Sequence, residues 1–241
     1  IALGYKREEI LELFYDFKNF TFDNKTKKWK AKFNPNDFKR PSKLKNDLLD
    51  GNSEKVLLKK GSKINLVIAN KLLENGLKNI LVNTEYFLNK YIKNNLLDGK
   101  KEVFLKSGQN IDQENIDKII KLNINSLNVA DIDPINRGPY LIDTLNIDKN
   151  STKEEAINDV YKVLRPGEPP SFDVAKTIFN NLFFNSERYD LSDVGRVKLN
   201  SKLNLDCSND IKILRNDDIV AIIRHMLDLR DGKGEVDDID H

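Results

Sequence analysis

The sequence predicts an α+β fold in which a β-rich, duplicated module, barrel-sandwich-like and packed by two short helices, is combined with a mainly helical portion. Three observations predict it. Apolar residues alternate with period two over part of the first half, the first half repeats itself at a fixed spacing, and helical spacing dominates from about residue 150 onward. A chain of 241 residues, 39% of them hydrophobic and 32% charged, is long enough for one large domain or two modest ones.

Charge is divided unevenly along the chain. Lys and Arg number 40 against 38 Asp and Glu, but residues 1–137 carry 26 basic and 18 acidic side chains, whereas residues 138–241 carry 14 and 20. Such asymmetry favours two units in different surroundings. No apolar run approaches the roughly 20 residues of a membrane helix, and the mean hydropathy is −0.55, so the sequence argues against a membrane-spanning protein.

Cysteine and histidine are scarce, which limits the chemistry open to the chain. The single Cys207 excludes an internal disulfide framework and a Cys-based zinc site, and two His residues leave few ways to build a His-rich metal site. Low cysteine use fits a reducing cytoplasm, where we expect the protein. The chain begins at Ile1 without an initiator Met and stops at His241 within a charged stretch, so we expect a piece of a longer protein.

The first elements are predicted by a change of apolar period. Residues 6–17 predict an amphipathic helix whose apolar face is Ile10, Leu13, Phe14 and Phe17. Residues 18–33 alternate with period two and predict a hairpin. The lysines on either side of Trp29 would also suit a nucleic-acid face with a stacking aromatic. The alternation favours another interpretation, in which the aromatic side chains point inward and the lysines point into water. Residues 34–54 are rich in Asn, Asp, Pro, Lys and Ser and predict a surface loop.

An internal repeat relates residues of about 55–83 to residues 102–130 at a spacing of 47. Each copy predicts a strand, a glycine turn, a capped helix, a turn and a second strand. The copies match at turns and caps as well as at apolar positions, the pairs being Gly61 with Gly108, Asn65 with Asp112, and Gly76 with Asn123. This half contains no catalytic constellation. Its lysines predict a solvated face. The alternative is that they attract nucleic acid electrostatically.

Three helices are predicted in the second half, each by a capping residue before an apolar stripe. Ser151 with Glu154 forms a capping box for the first, Ser171 caps the second and Asn216 caps the third. The stripes predict the buried faces, which are Ile157, Val160, Tyr161 and Leu164, then Ala175, Ile178, Phe179 and Leu182, and finally Ile219, Ile222, Ile223 and Met226.

Two segments between these helices carry candidate contact residues. Residues 165–170 contain three prolines, which fix φ and remove backbone donors, so the segment predicts a stiff loop that presents Arg165 and Glu168. A contact loop and a tight interhelical connection explain it equally well. Residues 188–200 contain side chains suited to phosphate, namely Arg188, Arg196 and Lys198.

Four runs of residues resemble the β-subunit family of bacterial DNA-directed RNA polymerases. They are RPGEPP from Arg165, NLFFNSERYDLSDVGRVKLN from Asn181, LRNDDI from Leu214 and GKGEVDDIDH from Gly232. The resemblance covers about residue 138 to the C-terminus. The opening ALGY followed by EEILELFY is similar to the stretch before a lineage-variable insertion in that subunit, and residues 19–137 match the insertion, often called the external domain, in layout.

The resemblance implies three regions: a lobe-side helix at 1–18, the inserted external module at 19–137, and a mainly helical lobe portion at 138–241 with a gate-type loop at 165–170. The lobe would form a wall of the DNA cleft. The implied partners are downstream duplex DNA, the non-template strand and the other polymerase subunits, with no membrane, in a cytoplasmic, nucleoid-associated complex. The implied DNA-contacting residues are Arg165, Glu168, Arg188, Arg196, Lys198 and Asp240, the last in a pocket for a non-template guanine.

The parent complex implied by the resemblance is a nucleotidyltransferase, but we expect this stretch to carry no catalytic residue and no cofactor, because the family holds its catalytic Mg²⁺ in another subunit. Asp237, Asp238, Asp240 and His241 would form a metal site only if a turn made them converge. Two other functions stay open. The inserted module would be a protein-interaction platform for transcription regulators, with DNA contact incidental, or the chain would be an independent hydrolase that uses the terminal carboxylates.

Overall fold

A computed structural model describes residues 1–39, 41–130, 132, 138–169 and 171–237. The chain divides into two compact units, which we call unit 1 (Ile1–Phe14 and Ile132–His241) and unit 2 (Tyr15–Asp131). Helix takes up 41% and strand 17% of the described residues, which confirms the predicted α+β class. No helix in this part of the chain is long and apolar enough to cross a membrane.

The first helix, α1 (Arg7–Phe14), belongs to unit 1, and the chain then continues through unit 2. The strands described in unit 2 are β1 (Phe17–Asp23), β2 (Lys28–Lys32), β3 (Ser42–Lys43), β4 (Leu48–Asp50), β5 (Val56–Leu58), β6 (Lys63–Ile64), β7 (Asn79–Val82), β8 (Leu96–Leu97), β9 (Val103–Leu105) and β10 (Ser126–Ala130). Its helices are α2 (Leu66–Glu74) and α3 (Gln113–Lys121), with short 3-10 helices at Pro35–Phe38 and Thr84–Phe87.

The main sheet of unit 2 is antiparallel and open, with strand order β10-β1-β2-β7-β4-β5, and the pairs β3–β6 and β8–β9 form two smaller sheets. One face of the main sheet packs with α2 and α3 around a core that includes Phe20 and Phe87. Trp29 is 2% exposed; its ring packs edge-on against Phe87, and its Nε1 donates to the Thr84 hydroxyl at 3.1 Å. Trp29 is therefore a core residue, and the alternative of a nucleic-acid face around it is wrong.

The structure corrects two predictions for the first half. Helix α1 ends at Phe14 rather than near residue 17, because Phe17 begins β1 and pairs with Ala130. The surface loop predicted over residues 34–54 instead contains β3 and β4, and β4 lies inside the main sheet between β7 and β5. Leu48 and Leu49 are too short an apolar run, in a polar segment, for a period of two to be recognised.

The predicted repeat is confirmed in detail. A shift of 47 residues converts β5 into β9, α2 into α3, and β7 into the first four residues of β10. Both predicted N-caps form, because Asn65 Oδ1 accepts the Ile68 amide at 2.9 Å and Asp112 Oδ1 accepts the Asn115 amide at 2.8 Å. The predicted C-terminal turns also form: φ is 97° at Gly76 and 51° at Asn123, both in the left-handed region.

The repeat extends further towards the N-terminus than the sequence indicates. Leu44 exchanges two backbone hydrogen bonds with residues 61–62, and Ile92 exchanges the same two with residues 108–109. The spacing on this side is 48, because the turn between β4 and β5 is one residue longer than the turn between β8 and β9. Each copy also contains an equivalent bond from a backbone amide to a side chain. The Lys60 amide donates to Asp47 Oδ1, and the Ser107 amide donates to Asn95 Oδ1. Each copy therefore contains its own hairpin.

Unit 1 is helical over its described residues. After α1 its helices are α4 (Tyr140–Ile147), α5 (Lys153–Leu164), α6 (Phe172–Phe183), α7 (Ser192–Leu203) and α8 (Asn216–Arg230). Helices α5 and α6 pack through Ile157, Tyr161 and Ala175. Arg7 in α1 donates to the Leu145 carbonyl of α4 at 2.7 Å, and Arg224 in α8 donates to the Leu13 carbonyl at 2.6 Å, so arginines link α1 to two other helices.

The helix starts in unit 1 differ from the predicted ones. The capping box of α5 is Thr152 with Glu155, one residue later than Ser151 with Glu154. Ser171 occupies the N-cap position of α6 but makes no side-chain cap bond. Asn216 is the first residue of α8 and not its cap.

Two further predictions for unit 1 are corrected by the structure. Met226 is 62% exposed and Leu164 is 47% exposed, so neither belongs to a buried face. Helix α7 is not predicted at all, since its face contains Lys198 and Lys202 among few apolar residues and shows no clear stripe.

Candidate nucleic-acid interface

The gate-type loop begins where α5 ends. The Arg165 amide donates to the Tyr161 carbonyl at 2.8 Å, and φ of +91° at Gly167 then turns the chain back. Glu168 Oε2 accepts the Tyr161 hydroxyl at 2.8 Å and lies 3.5 Å from Arg165 Nη1. The loop is therefore ordered by its own polar contacts, and it joins the ends of two packed helices, as the tight-connection interpretation requires.

The charged pair of this loop is accessible. The side chains of Arg165 and Glu168 are 54% and 56% exposed. The Tyr161 hydroxyl and, to a lesser extent, the Arg165 guanidinium lower the pKa of Glu168, so its carboxylate stays ionised at neutral pH. An exposed Arg–Glu pair is weak in water, so Arg165 can exchange Glu168 for another anion at little cost. Pro170, the last residue of the predicted loop, lies outside the described residues.

Arg188 and Lys198 are the two remaining exposed cations of the predicted set. Arg188 lies in a turn directly after α6, where its amide donates to the Asn185 carbonyl at 3.0 Å. Lys198 lies on α7. Among the described residues neither side chain has a hydrogen-bond or ion-pair partner, and no contact joins them to Arg165. Both are therefore available to an external anion.

Arg196 is different, and the structure corrects its predicted role. Its side chain is 0% exposed. Nε donates to the Ile211 carbonyl at 2.6 Å, Nη1 to Asp218 Oδ2 at 3.0 Å, and Nη2 to the Ile213 carbonyl. All three nitrogens are thus used inside unit 1, and no surface remains for DNA. Arg196 holds α7, the segment before α8 and the start of α8 together.

Asp218 is the acceptor at the centre of this buried cluster, which we call the Arg196 cluster (Arg196, Arg215 and Asp218). Besides Arg196, it accepts the Arg215 amide at 2.8 Å and Arg215 Nη2 at 3.2 Å. Burial alone raises the pKa of Asp218, but the hydrogen bonds from Arg215 and Arg196 outweigh it, so the pKa lies below the ordinary aspartate value. Sequence reasoning missed Arg215 and Asp218. Arg215 and Asp218 are three residues apart, which is the spacing between the N-cap residue and the N3 residue of a capping box. This spacing could have identified them.

Of the residues in the terminal acidic segment, the structure describes only some. Asp238, Asp240 and His241 lie outside the described residues, so the guanine-pocket prediction for Asp240 stays a prediction. Asp237 is described and accepts from Lys202 Nζ at 2.5 Å. Over the described part of the chain, no three His, Cys, Asp or Glu side chains are grouped in a way that could hold a metal ion.

The second part of unit 1 is similar to a known protein family. Residues 138–241 match the family model for RNA polymerase Rpb2, domain 2, which spans the whole second part of unit 1 from Gly138 onward. This part of the chain is therefore similar to domain 2 of Rpb2-type RNA polymerase subunits.

The particular family follows from whole-chain similarity. The chain is 43% identical to the DNA-directed RNA polymerase subunit beta of Rickettsia akari (strain Hartford), 43% to that of Rickettsia prowazekii (strain Madrid E) and 42% to that of Rickettsia conorii (strain ATCC VR-613 / Malish 7). Each match covers 100% of this chain and 17% of the relative. The domain match and the identity along the whole chain together support a fragment of a bacterial RNA polymerase β subunit. The similarity includes unit 2, which the domain match does not cover.

Proposed function

We propose that the whole protein is the β subunit of a DNA-directed RNA polymerase, and that this segment forms part of the wall of the DNA cleft. Its partners in this proposal are downstream duplex DNA, the non-template strand and the other polymerase subunits, in the cytoplasm at the nucleoid. The segment supplies no catalytic group, and Mg²⁺ is held by another subunit. The 43% identity over the full chain to β subunits supports the assignment.

The observation that carries the DNA-facing role is a pair of exposed cations without protein partners, Arg188 and Lys198, in an acidic environment. Residues 138–241 carry 14 basic and 20 acidic side chains, and Glu187 and Asp190 flank Arg188 closely in sequence. Although acidic side chains are in excess here, these two cations make no ion pair with a described residue, so both are accessible to an external anion. A phosphate backbone is the anion that both would meet in a DNA cleft.

Two further contacts complete the proposed interface. Arg165 would leave Glu168 for a phosphate, and Glu168, held by Tyr161, would repel phosphates from its side of the loop. Asp240 would accept hydrogen bonds from N1 and N2 of an unpaired guanine in the non-template strand. Arg196 is left out of this set because it is buried.

Replacement of Arg188 by Ala in the assembled polymerase tests the interface. We expect a shorter lifetime of the open promoter complex and a salt dependence of its formation reduced by about one counterion, because one phosphate contact is lost. Lys176→Ala is the matched control, since Lys176 is an exposed cation on α6 outside the proposed set. If Arg188→Ala and the unaltered enzyme have equal open-complex lifetimes and equal salt dependences, Arg188 does not contact DNA.

A second candidate function is that unit 2 serves as a protein-interaction platform for transcription regulators, with DNA contact incidental. It is favoured by exposed apolar residues on both hairpins of the repeat, among them Val56 at 48% and Val103 at 43%. The test is retention of protein and of DNA from a cell extract by the immobilised 241-residue chain, without nuclease treatment. Protein retained at moderate salt without DNA supports a platform, whereas DNA retained without protein contradicts it.

A further inference from the structure

The two copies of the repeat in unit 2 allow a comparison within one molecule. Because both copies fold in the same way, a residue that differs between them at an equivalent position is not required by the fold. Three lysines of the first copy meet this condition. Lys43, Lys55 and Lys63 are exposed, and the matching backbone pairing of the two copies makes them equivalent to Tyr91, Glu102 and Asn110 of the second copy.

Lys43 and Lys63 are placed unfavourably for the isolated chain. They are direct cross-strand partners in the β3–β6 pair, so their side chains project from the same face. Like charges in this position destabilise a sheet, and neither lysine has a described acidic partner. The second copy avoids the repulsion with Tyr91 and Asn110. An external anion would relieve it in the first copy.

Among the described residues, the chain between Lys43 and Lys63 also contains an edge strand of the main sheet that no further strand covers. Strand β5 is the last strand of the main sheet. The Lys55 carbonyl accepts the Asp50 amide of β4 at 2.9 Å, so the next residue, Val56, turns its amide and carbonyl away from β4. Val56 and Leu57 are 48% and 36% exposed, and as consecutive strand residues they project from opposite faces.

We propose that the β5 edge binds an extended acidic protein segment, which adds to the main sheet as a further strand. Backbone bonds would form at Val56, apolar residues of the segment would cover Val56 and Leu57, and its carboxylates would meet Lys43, Lys55 and Lys63. A protein is favoured over nucleic acid because residues 43–63 contain neither an aromatic residue for base stacking nor an arginine. The same lysines discourage pairing of this edge with a second copy of the chain.

The test uses the 15N-labelled 241-residue chain and a synthetic ten-residue peptide of alternating Glu and Val. We expect the Val56 and Leu57 amide signals to shift and the Val56 amide to be protected from exchange. The triple variant Lys43→Tyr, Lys55→Glu and Lys63→Asn, which installs the residues of the second copy, should weaken binding at least about tenfold. Its urea midpoint should not fall, because the Lys43–Lys63 repulsion is removed.

A second variant separates backbone pairing from charge. Val56→Pro removes the outward amide donor and should also abolish peptide binding, whereas the equivalent Val103→Pro in β9 should leave it unchanged. The proposal is overturned by equal binding of a Lys–Val peptide, by absence of signal shifts at millimolar peptide, or by preferential binding of ten-residue oligo-dT to this edge.

The inference rests on the platform role, and the two can fail separately. If the immobilised chain retains no protein, the platform role fails. If it retains a protein equally well with the triple variant, the platform stands and the β5 edge is not its binding site.

Discussion

At the residue scale, burial decides which of the predicted cations are accessible to an external anion. Arg188, Arg196 and Lys198 lie within eleven residues of sequence and are chemically similar, yet Arg196 is fully buried and the other two are exposed. The sequence identified all three by residue type. It could not distinguish them, because the acceptors of Arg196 are two carbonyls and a carboxylate that lie 15 to 22 residues further along the chain.

Asp218→Asn should destabilise unit 1 by about 3–5 kcal/mol, because it leaves the buried Arg196 without its counter-charge. Urea unfolding followed by far-ultraviolet circular dichroism measures the loss. Asp217→Asn is the control, since Asp217 is exposed on the same helix turn. A loss no larger than that of the control would show that the Arg196 cluster contributes little.

The same carboxylate predicts a pH dependence. The pKa of Asp218 is lowered in the folded protein from its ordinary value of 3.8, so its contribution is fully present above about pH 4 and is lost as the pH falls through the lower, folded value. Unfolding free energy measured between pH 6 and pH 3 should therefore fall more steeply for the unaltered chain than for Asp218→Asn. Parallel curves would contradict this assignment.

At the scale of elements, the sequence located the repeat well and the cap of α5 less well. The spacing of 47 residues predicts β5, α2 and β7 and their copies because turn, cap and apolar positions all agree. Ser151 with Glu154 and Thr152 with Glu155 have the same capping-box spacing, and local sequence does not separate them. The structure selects the second pair: Thr152 Oγ1 accepts the Glu155 amide at 3.2 Å, and Glu155 accepts the Thr152 amide.

Thr152→Ala should lower the stability of unit 1 by about 1 kcal/mol, because an N-cap acceptor is lost at the start of α5. Ser151→Ala is the matched control and should cost much less, since only the backbone amide of Ser151 bonds to Glu155. Thermal unfolding of both variants decides which residue caps the helix. Equal losses would contradict the Thr152 assignment.

At the scale of the whole molecule, the two units have separate cores. The aromatic core around Phe20, Trp29 and Phe87 lies within unit 2, while Ile157, Tyr161 and Ala175 form a core within unit 1. The only tryptophan of the chain, Trp29, is buried in unit 2, whereas five of the six helices described in unit 1 come from residues after 138. Fluorescence therefore reports unit 2, and helical circular dichroism reports mainly unit 1.

Urea unfolding of the 241-residue chain should give different midpoints by tryptophan fluorescence and by circular dichroism at 222 nm, because each unit unfolds around its own core. Asp218→Asn should move the circular dichroism midpoint and leave the fluorescence midpoint in place. Coincident midpoints that move together in Asp218→Asn would show that the units unfold as one.

The sequence alone determined the α+β class, the duplication and its caps, the hairpin with Trp29 inward, and the resemblance to bacterial RNA polymerase β subunits. These features depend on local periodicity, on residues a few positions apart, or on long ordered motifs. Only the tertiary structure decided that Leu48 and Leu49 form a strand inside the main sheet, that Arg196 is buried against Asp218, and that Val56 lies on a free edge. Each of those depends on partners distant in sequence, and burial by distant partners leaves no local pattern.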